Sequence, residues 1–437
     1  MENNRSSRGN GLLPLWRCAG YAARPALRLM LAVRTANGKE DPARRGERFG
    51  RPSAPHPPGP MVWVHAASVG EITAALPLIG ALTALGLQVL ATTGTVTSAR
   101  VAAERLPPGA IHQFVPLDVA PYLRRFLDFW RPSLALFVES EVWPTTIDEL
   151  ARRGIARIIV NGRMSERSHR GWKRWPAVAH ALFGRLTACL AQSGGDAERF
   201  RDLGVDDVHV SGNLKFDVAP LPVDAGKLAD LRRALAGRPC WVAASTHAGE
   251  EDMVAVAHAR LAAHWPDLVT FVVPRHPERG GAIAERLDPS GAGQSVALRS
   301  RGQPLSAATR FYVADTIGEL GLFYSLAPVA FVGGSLVHVG GHNPIEPVQL
   351  GAAVVTGPHV ANFRSIYADL GRAGGVVAVD NADRLAQAVD GLLGDAAAAR
   401  EIVTRARSVL DQHVGSVART LTVLQPLLPL PAIGAGA

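Results

Sequence analysis

Cysteine is scarce in this 437-residue chain. The three residues Cys18, Cys189 and Cys240 stand far apart, with no CxxC or other paired spacing. That argues against a disulfide framework or a thiolate zinc site and suits a reducing compartment. Long apolar runs are also lacking: no stretch approaches the roughly 20 residues needed to span a bilayer. Several familiar signatures are missing too. Thr92 to Ser98 (TTGTVTS) follows an apolar run but lacks the Gly-Lys of a P-loop, and there is no GxGxxG, GxSxG or HExxH. Their absence demotes the standard nucleotide-dependent, serine-hydrolase and zinc-protease readings. Charged residues make up only 19% against 47% hydrophobic, the balance of a well-packed globular protein. The length calls for two domains.

Acidic residues are thin at the start of the chain. Residues 1–51 hold eleven Arg/Lys against four Asp/Glu, or +7 of the total +8, so the remainder is nearly neutral. A basic arm on a neutral body points to a local anionic surface and away from nucleic acid. Within the arm Trp16, Tyr21, Leu27, Leu29, Met30 and Leu31 are interleaved with Arg24, Arg28 and Arg34. Such a segment is expected to lie in a membrane interface, its arginines reaching anionic headgroups. The plainer alternative is a helix packed on its own domain. Residues 1–50 are therefore read as a membrane-association segment.

The Pro-rich stretch Arg51 to Pro60 (RPSAPHPPGP) ends this segment. Beyond it, strands are expected at 61–66, 87–92, 134–138, 156–160, 188–191 and 207–210, alternating with helical patterns. A second series runs through 240–244, 268–273, 310–313, 328–332, 352–356 and 376–379. Alternation of this kind means an α/β fold with parallel sheets covered by helices. The polar, Pro-containing stretch from Asp217 to Ala225 separates the series, giving expected domains at 61–217 and 225–425. The two openings echo each other, WVHAASVGE at 63–71 and WVAASTHAGE at 241–250. The echo suggests two similar βα units facing across a cleft.

Strand-to-helix junctions carry the candidate chemistry, because helix-start N–H groups and strand ends converge there. His65 to Glu71 (HAASVGE) is one, and alone its carboxylate reads as a helix cap favoured by the dipole, which is expected to keep it ionised. Glu139 and Glu141 close another apolar run, and Lys215 sits near the domain boundary. In the second half, Gly333 to Pro347 (GGSLVHVGGHNPIEP) is a glycine-rich loop opening a helix. Its backbone can approach a phosphate closely, and Glu346 suits ribose hydroxyls. Pro274-Arg275 and Gly318-Glu319-Leu320 are further junctions. His338 and His342 lie four apart, yet such a loop is a poor metal scaffold.

HAASVGE at 65–71, ESEVWP at 139–144, GNLKFD at 212–217, STHAGEE at 245–251, PRHPER at 274–279, DTIGEL at 315–320 and the loop at 333–347 occur in one order. Together they resemble the bacterial 3-deoxy-D-manno-octulosonic acid (Kdo) transferases of lipid A biosynthesis, from about residue 12 to 425. The resemblance implies a GT-B fold of two Rossmann-like domains and transfer of Kdo from CMP-Kdo to a lipid A precursor (lipid IVA) with inversion. It implies no metal ion and no cofactor beyond the donor substrate. It makes Glu71 the general base, with Glu141 and Lys215 stabilising the transition state. The CMP site would comprise Pro274, Arg275, Gly318, Glu319, Leu320, Asn343, Pro344, Ile345 and Glu346. The cytoplasmic face of the inner membrane is the implied location. Family members often open with a cleaner apolar anchor than this arginine-interrupted one, so monotopic attachment is expected. Two other readings compete: a nucleotide-sugar epimerase on the same scaffold, and a non-catalytic membrane-surface module.

Overall fold

A computed structural model describes residue 16 and residues 20–288 and 295–429. The chain forms two compact units. Unit 1 runs to Val218 and takes up the chain again from His413; unit 2 is Ala219–Gln412.

Unit 1 holds seven parallel strands: β1 (Met61–His65), β2 (Gln88–Thr93), β3 (Ala110–Phe114), β4 (Leu134–Val138), β5 (Ala156–Gly162), β6 (Ala188–Ala191) and β7 (Val208–Val210). Their order is β3-β2-β1-β4-β5-β6-β7. β1 and β4 are buried along their whole length. Helices cover both faces, so these strands read as continuous apolar runs without alternation. Trp63 and Phe137 pack into the core on one face, and Val62, Val64 and Leu136 into the core on the other. Each such fully buried side chain contributes roughly 1.5–3 kcal/mol.

Unit 2 repeats the plan with β8 (Cys240–Thr246), β9 (Val269–Pro274), β10 (Val296–Leu298), β11 (Phe311–Val313), β12 (Val329–Val332), β13 (Ala353–Thr356) and β14 (Val377–Ala378). Their order is β10-β11-β9-β8-β12-β13-β14. In each sheet the strand order reverses beside the first strand, between β1 and β4 and between β8 and β12. Open α/β sheets bind ligands outside the carboxyl ends of strands at such a reversal.

Two strands escape the sequence reading. β3 (AIHQF) carries polar His112 and Gln113 inside an edge strand, and β10 has three residues. The expected second domain, 225–425, is corrected at its end. Gly415 N and Val417 N donate to the Asp217 carboxylate at 2.8 and 2.5 Å, and Phe216 stacks on His413 at 4.5 Å. These contacts fix the last helix, Ser416–Leu424, to unit 1.

The segment expected at 1–50 is also redrawn. Its residues other than 16 and 20–50 lie outside the described structure. The helix Arg24–Ala36 buries Leu31 against unit 1 and leaves Leu29, Met30 and Val33 exposed. Residues 40–50 belong to the domain itself: Glu40, Glu47 and Arg48 are buried, and Glu47 Oε2 accepts from Phe114 N at 2.5 Å. Pairing with these acids neutralises part of the expected positive charge. Among the described residues no helix is long and apolar enough to cross a membrane.

Candidate active site

In unit 1 the reversal between β1 and β4 gathers most of the predicted chemistry. β1 ends at His65, and the chain turns through Ala66 and Ala67 into the helix Val69–Ala84, with Ser68 as its N-cap. Gly94, after β2, braces the turn. Its N–H donates to Ala67 O at 2.9 Å, and a Cβ there would come within 2.8 Å of that oxygen. Glu71 stands in the first helical turn and folds back. Ala67 N donates to its Oε2 at 2.9 Å and Ser68 Oγ to its Oε1 at 2.7 Å, while Ser68 Oγ accepts from Glu71 N at 3.3 Å. Glu71 does cap its helix, as the bland sequence reading held.

The dipole does not keep this carboxylate ionised in the way expected from its position. Burial raises the Glu71 pKa to about 7, against the lowering from Ser68 and Ala67, with the nearby charges of Glu139 and Glu141 adding to the rise. Removing a carboxylate from water outweighs two hydrogen bonds and the helix dipole. A carboxylate poised near neutrality is suited to take up a proton during a reaction.

β4 delivers the other acids. Glu139 follows Val138 directly and holds φ +63°, a left-handed conformation unusual for a non-glycine residue. Its Oε1 receives a hydrogen bond from Lys215 Nζ at 3.2 Å. Glu141 Oε2 accepts from Trp143 Nε1 at 2.9 Å, and burial raises its pKa as well. The structure thus brings Glu71, Glu141 and Lys215 into one region, and adds Glu139, which the sequence reading noticed without assigning a role. The signal for Glu139 was its place immediately after an all-apolar strand. His65 was missed as well. It is buried and its pKa is lowered to about 4 by burial, so the ring is neutral, with Nδ1 within 3.0 Å of Thr92 Oγ1.

Unit 2 carries the remaining predicted residues on its own reversal and the neighbouring junctions. Pro274 ends β9 and is buried; Arg275 follows it, exposed, its N–H bonded to Thr246 O. Gly318 takes φ +84°, a turn that favours glycine. Glu319 is gripped by Arg299 at 2.5 and 2.8 Å, Lys227 at 2.7 Å and Thr316 at 2.6 Å. The Arg299 guanidinium holds its carboxyl well below the usual range. Leu320 opens the helix Leu320–Leu326. Asn343 Oδ1 accepts from Ile345 N at 3.1 Å, Pro344 is buried, and Ile345 and Glu346 begin the helix Ile345–Gln349.

The close backbone approach expected of the glycine-rich loop is limited at its start, where Gly334, Ser335 and Leu336 have their N–H groups turned inward. They donate to the buried Glu250 carboxylate at 2.7, 3.0 and 3.0 Å, together with His247 N at 2.9 Å. The Glu250 side chain already fills that nest. Beside it His247 and His342 meet Nε2 to Nε2 at 2.9 Å. Among the described residues no cluster of three or more His, Cys, Asp or Glu could hold a metal ion.

Comparison with known proteins agrees with the motif order. Residues 43–218 match the family described as 3-Deoxy-D-manno-octulosonic-acid transferase (kdotransferase). A probable mitochondrial 3-deoxy-D-manno-octulosonic acid transferase of Arabidopsis thaliana is 37% identical over 87% of this chain and 88% of its own length. The 3-deoxy-D-manno-octulosonic acid transferase of Haemophilus influenzae is 34% identical over 91% of this chain and 94% of its own. Among solved structures, the UDP-GlcNAc 2-epimerase of Neisseria meningitidis bound to UDP-GlcNAc matches with a TM-score of 0.57. It covers 84% of this chain and 100% of that one at 12% identity. Identity that low bears on the fold alone, which is GT-B. The sequence relatives are what separate the transferase from the epimerase. With more than a third of its residues shared over nearly nine-tenths of its length, this chain belongs to the 3-deoxy-D-manno-octulosonic acid transferase family.

Proposed function

We propose that this protein transfers Kdo from CMP-Kdo to a lipid A precursor, inverting the anomeric carbon, at the cytoplasmic face of a bacterial inner membrane. The observation that carries the reading is Glu71, a buried carboxylate of pKa about 7 held between Ala67 N and Ser68 Oγ at the carboxyl end of β1. In a single displacement Glu71 takes the proton from the acceptor hydroxyl as that oxygen attacks the anomeric carbon. The bond from that carbon to the phosphate oxygen breaks, and CMP departs with the electron pair. Positive charge developing on the sugar ring is met by Glu141, and negative charge on the leaving phosphate by Lys215 and Arg275. CMP is held by Pro274, Arg275, Gly318, Glu319, Leu320, Asn343, Pro344, Ile345 and Glu346. Fixed side-chain cations do the electrostatic work, and the transfer needs no metal ion.

The family membership supports the donor sugar. The exposed Leu29, Met30 and Val33 on an arginine-bearing helix support membrane attachment. The test is incubation with CMP-Kdo and lipid A precursor in detergent and EDTA, with the product weighed by mass spectrometry and its anomeric configuration read by NMR. A product heavier by a Kdo residue and inverted is expected. Interconversion of nucleotide sugars without any lipid acceptor would overturn the reading.

A further inference from the structure

Unit 1 contains a cavity of about 290 Å³ that extends away from the reacting groups. It lies between the N-terminal helix, which contributes Met30 and Leu31, and the strand ends of β1 and β4, which contribute Trp63, His65 and Phe137. Ala67 and Glu141 also line it, so it opens beside the turn whose N–H group holds Glu71. A second cavity of about 440 Å³ shares Met30, Leu117, Asp118 and Trp143 with the first and extends to Leu27 and Trp16. The two cavities adjoin along these shared walls, and together they reach from the turn beside Glu71 to the outer face of the helix. Met30, Trp143 and Trp16 are 42%, 46% and 55% exposed at their mouth. Volumes of this order are those of small-ligand sites.

The polar groups of the wall decide what the cavity can take. Glu40 is held by Arg34 at 2.7 Å and by Arg48 at 3.0 Å. Asp118 accepts from Thr145 N at 3.0 Å and Thr146 N at 2.8 Å, and Trp63 Nε1 donates to Thr92 Oγ1 at 2.8 Å. These hydrogen-bonding groups are engaged within the protein, and His65 is neutral. Most of the surface facing the space is therefore hydrocarbon and aromatic, which attracts an apolar chain.

We propose that this path is the binding site for an acyl chain of the acceptor lipid. The proposal rests on the transferase reading above for the identity of the acceptor. One chain runs from the exposed helix face inward, and its polar head stops where Glu141 and the Glu71 turn begin. The cavity thereby selects acylated acceptors and fixes the distance of the reacting hydroxyl from the base.

The test uses the full-length protein and two variants that fill the path, Leu117→Trp and Met30→Trp. Neither residue belongs to the catalytic set, and Met30 is exposed enough for a larger side chain to be accommodated without disturbing the core. Thermal melting confirms that each variant is folded, and whichever is folded is taken forward. The probe is dansylaminoundecanoate, whose emission rises in an apolar site. Saturable binding at one probe per chain is expected, weakened at least about tenfold in the variants, the loss expected when two or more methylenes stay in water. In the transfer assay KM for an acylated acceptor should rise similarly, while turnover on a deacylated disaccharide phosphate is unchanged. No saturable probe binding, or equal binding in parent and variants, overturns the acyl site. Loss of turnover on acylated and deacylated acceptors alike also overturns it. Probe binding that behaves as expected in a protein with no Kdo transfer would leave the apolar site standing and remove the transferase reading.

Discussion

Lys215 Nζ lies 3.2 Å from Glu139 Oε1, and Glu139 is held at φ +63° directly after β4. A side chain in that region costs about 1–2 kcal/mol of backbone strain. The strain is tolerated at the point where the sheet order reverses and Glu71 is near enough for the two charges to interact. Glu139→Gly would relieve it while removing the carboxylate that Lys215 Nζ bonds. Stability within about 1 kcal/mol of the parent is expected, because relief of strain and the added chain entropy of glycine nearly cancel. Turnover should fall by about tenfold or more as Lys215 loses its positioning contact. Unchanged turnover would show that the pair has no part in the reaction.

Glu71→Gln removes the proposed base and keeps the side-chain volume. Transfer should drop by roughly two orders of magnitude or more, the usual scale for a general base. In the parent, activity should rise as pH passes through about 7, since only the ionised carboxylate accepts a proton. A flat profile across neutrality would count against the assignment.

The same carboxyl makes a prediction about stability. Its folded pKa of about 7 exceeds the ordinary 4.5, so its protonated form favours the folded state. That contribution is complete below about pH 4.5 and is lost as pH rises through about 7. Glu71→Gln has no such charge to bear. Between about pH 5 and pH 8 the variant should gain up to about 3 kcal/mol on the parent, following the size of the shift. Chemical denaturation of both proteins at the two pH values measures the difference.

Glu250 should be among the most sensitive positions of unit 2. Four backbone N–H groups, of His247, Gly334, Ser335 and Leu336, converge on its fully buried carboxylate. Glu250→Gln turns one acceptor into a donor facing donors. A loss of about 3 kcal/mol is expected from groups left without partners. Calorimetry should register it as a lowered melting temperature.

Arg275 offers the contrasting case. It is exposed at the end of β9, so Arg275→Ala should barely move the melting temperature. If it contacts the donor phosphate, KM for CMP-Kdo should rise about tenfold or more with the loss of a charge-assisted hydrogen bond. An unchanged KM would remove it from the donor site.

The sheets were legible in the sequence where strands are buried on both faces. Met61–Val64 and Leu134–Val138 need no alternation to be seen, because apolar length alone marks them. β3 was hidden since His112 serves the domain edge, where Arg44 reaches it at 2.9 Å. The position of Glu71 was readable from a strand, a small-residue turn and a helix start. Its protonation behaviour was not, because burial and the approach of Glu139 and Glu141 depend on a strand some seventy residues away. The inward role of Glu250 was not readable either, because the N–H groups it binds belong to a loop 84 residues further along the chain.

The return of the last helix to unit 1 bears on the order in which the chain can fold. Unit 2 is one continuous stretch, Ala219–Gln412, and it is synthesised before the segment from His413 that completes unit 1. Unit 1 begins first and finishes last. Asp217 waits for Gly415 and Val417, and Phe216 for His413. A stop codon a few residues past Gln412 would therefore spare the later-made half and cripple the one synthesised first.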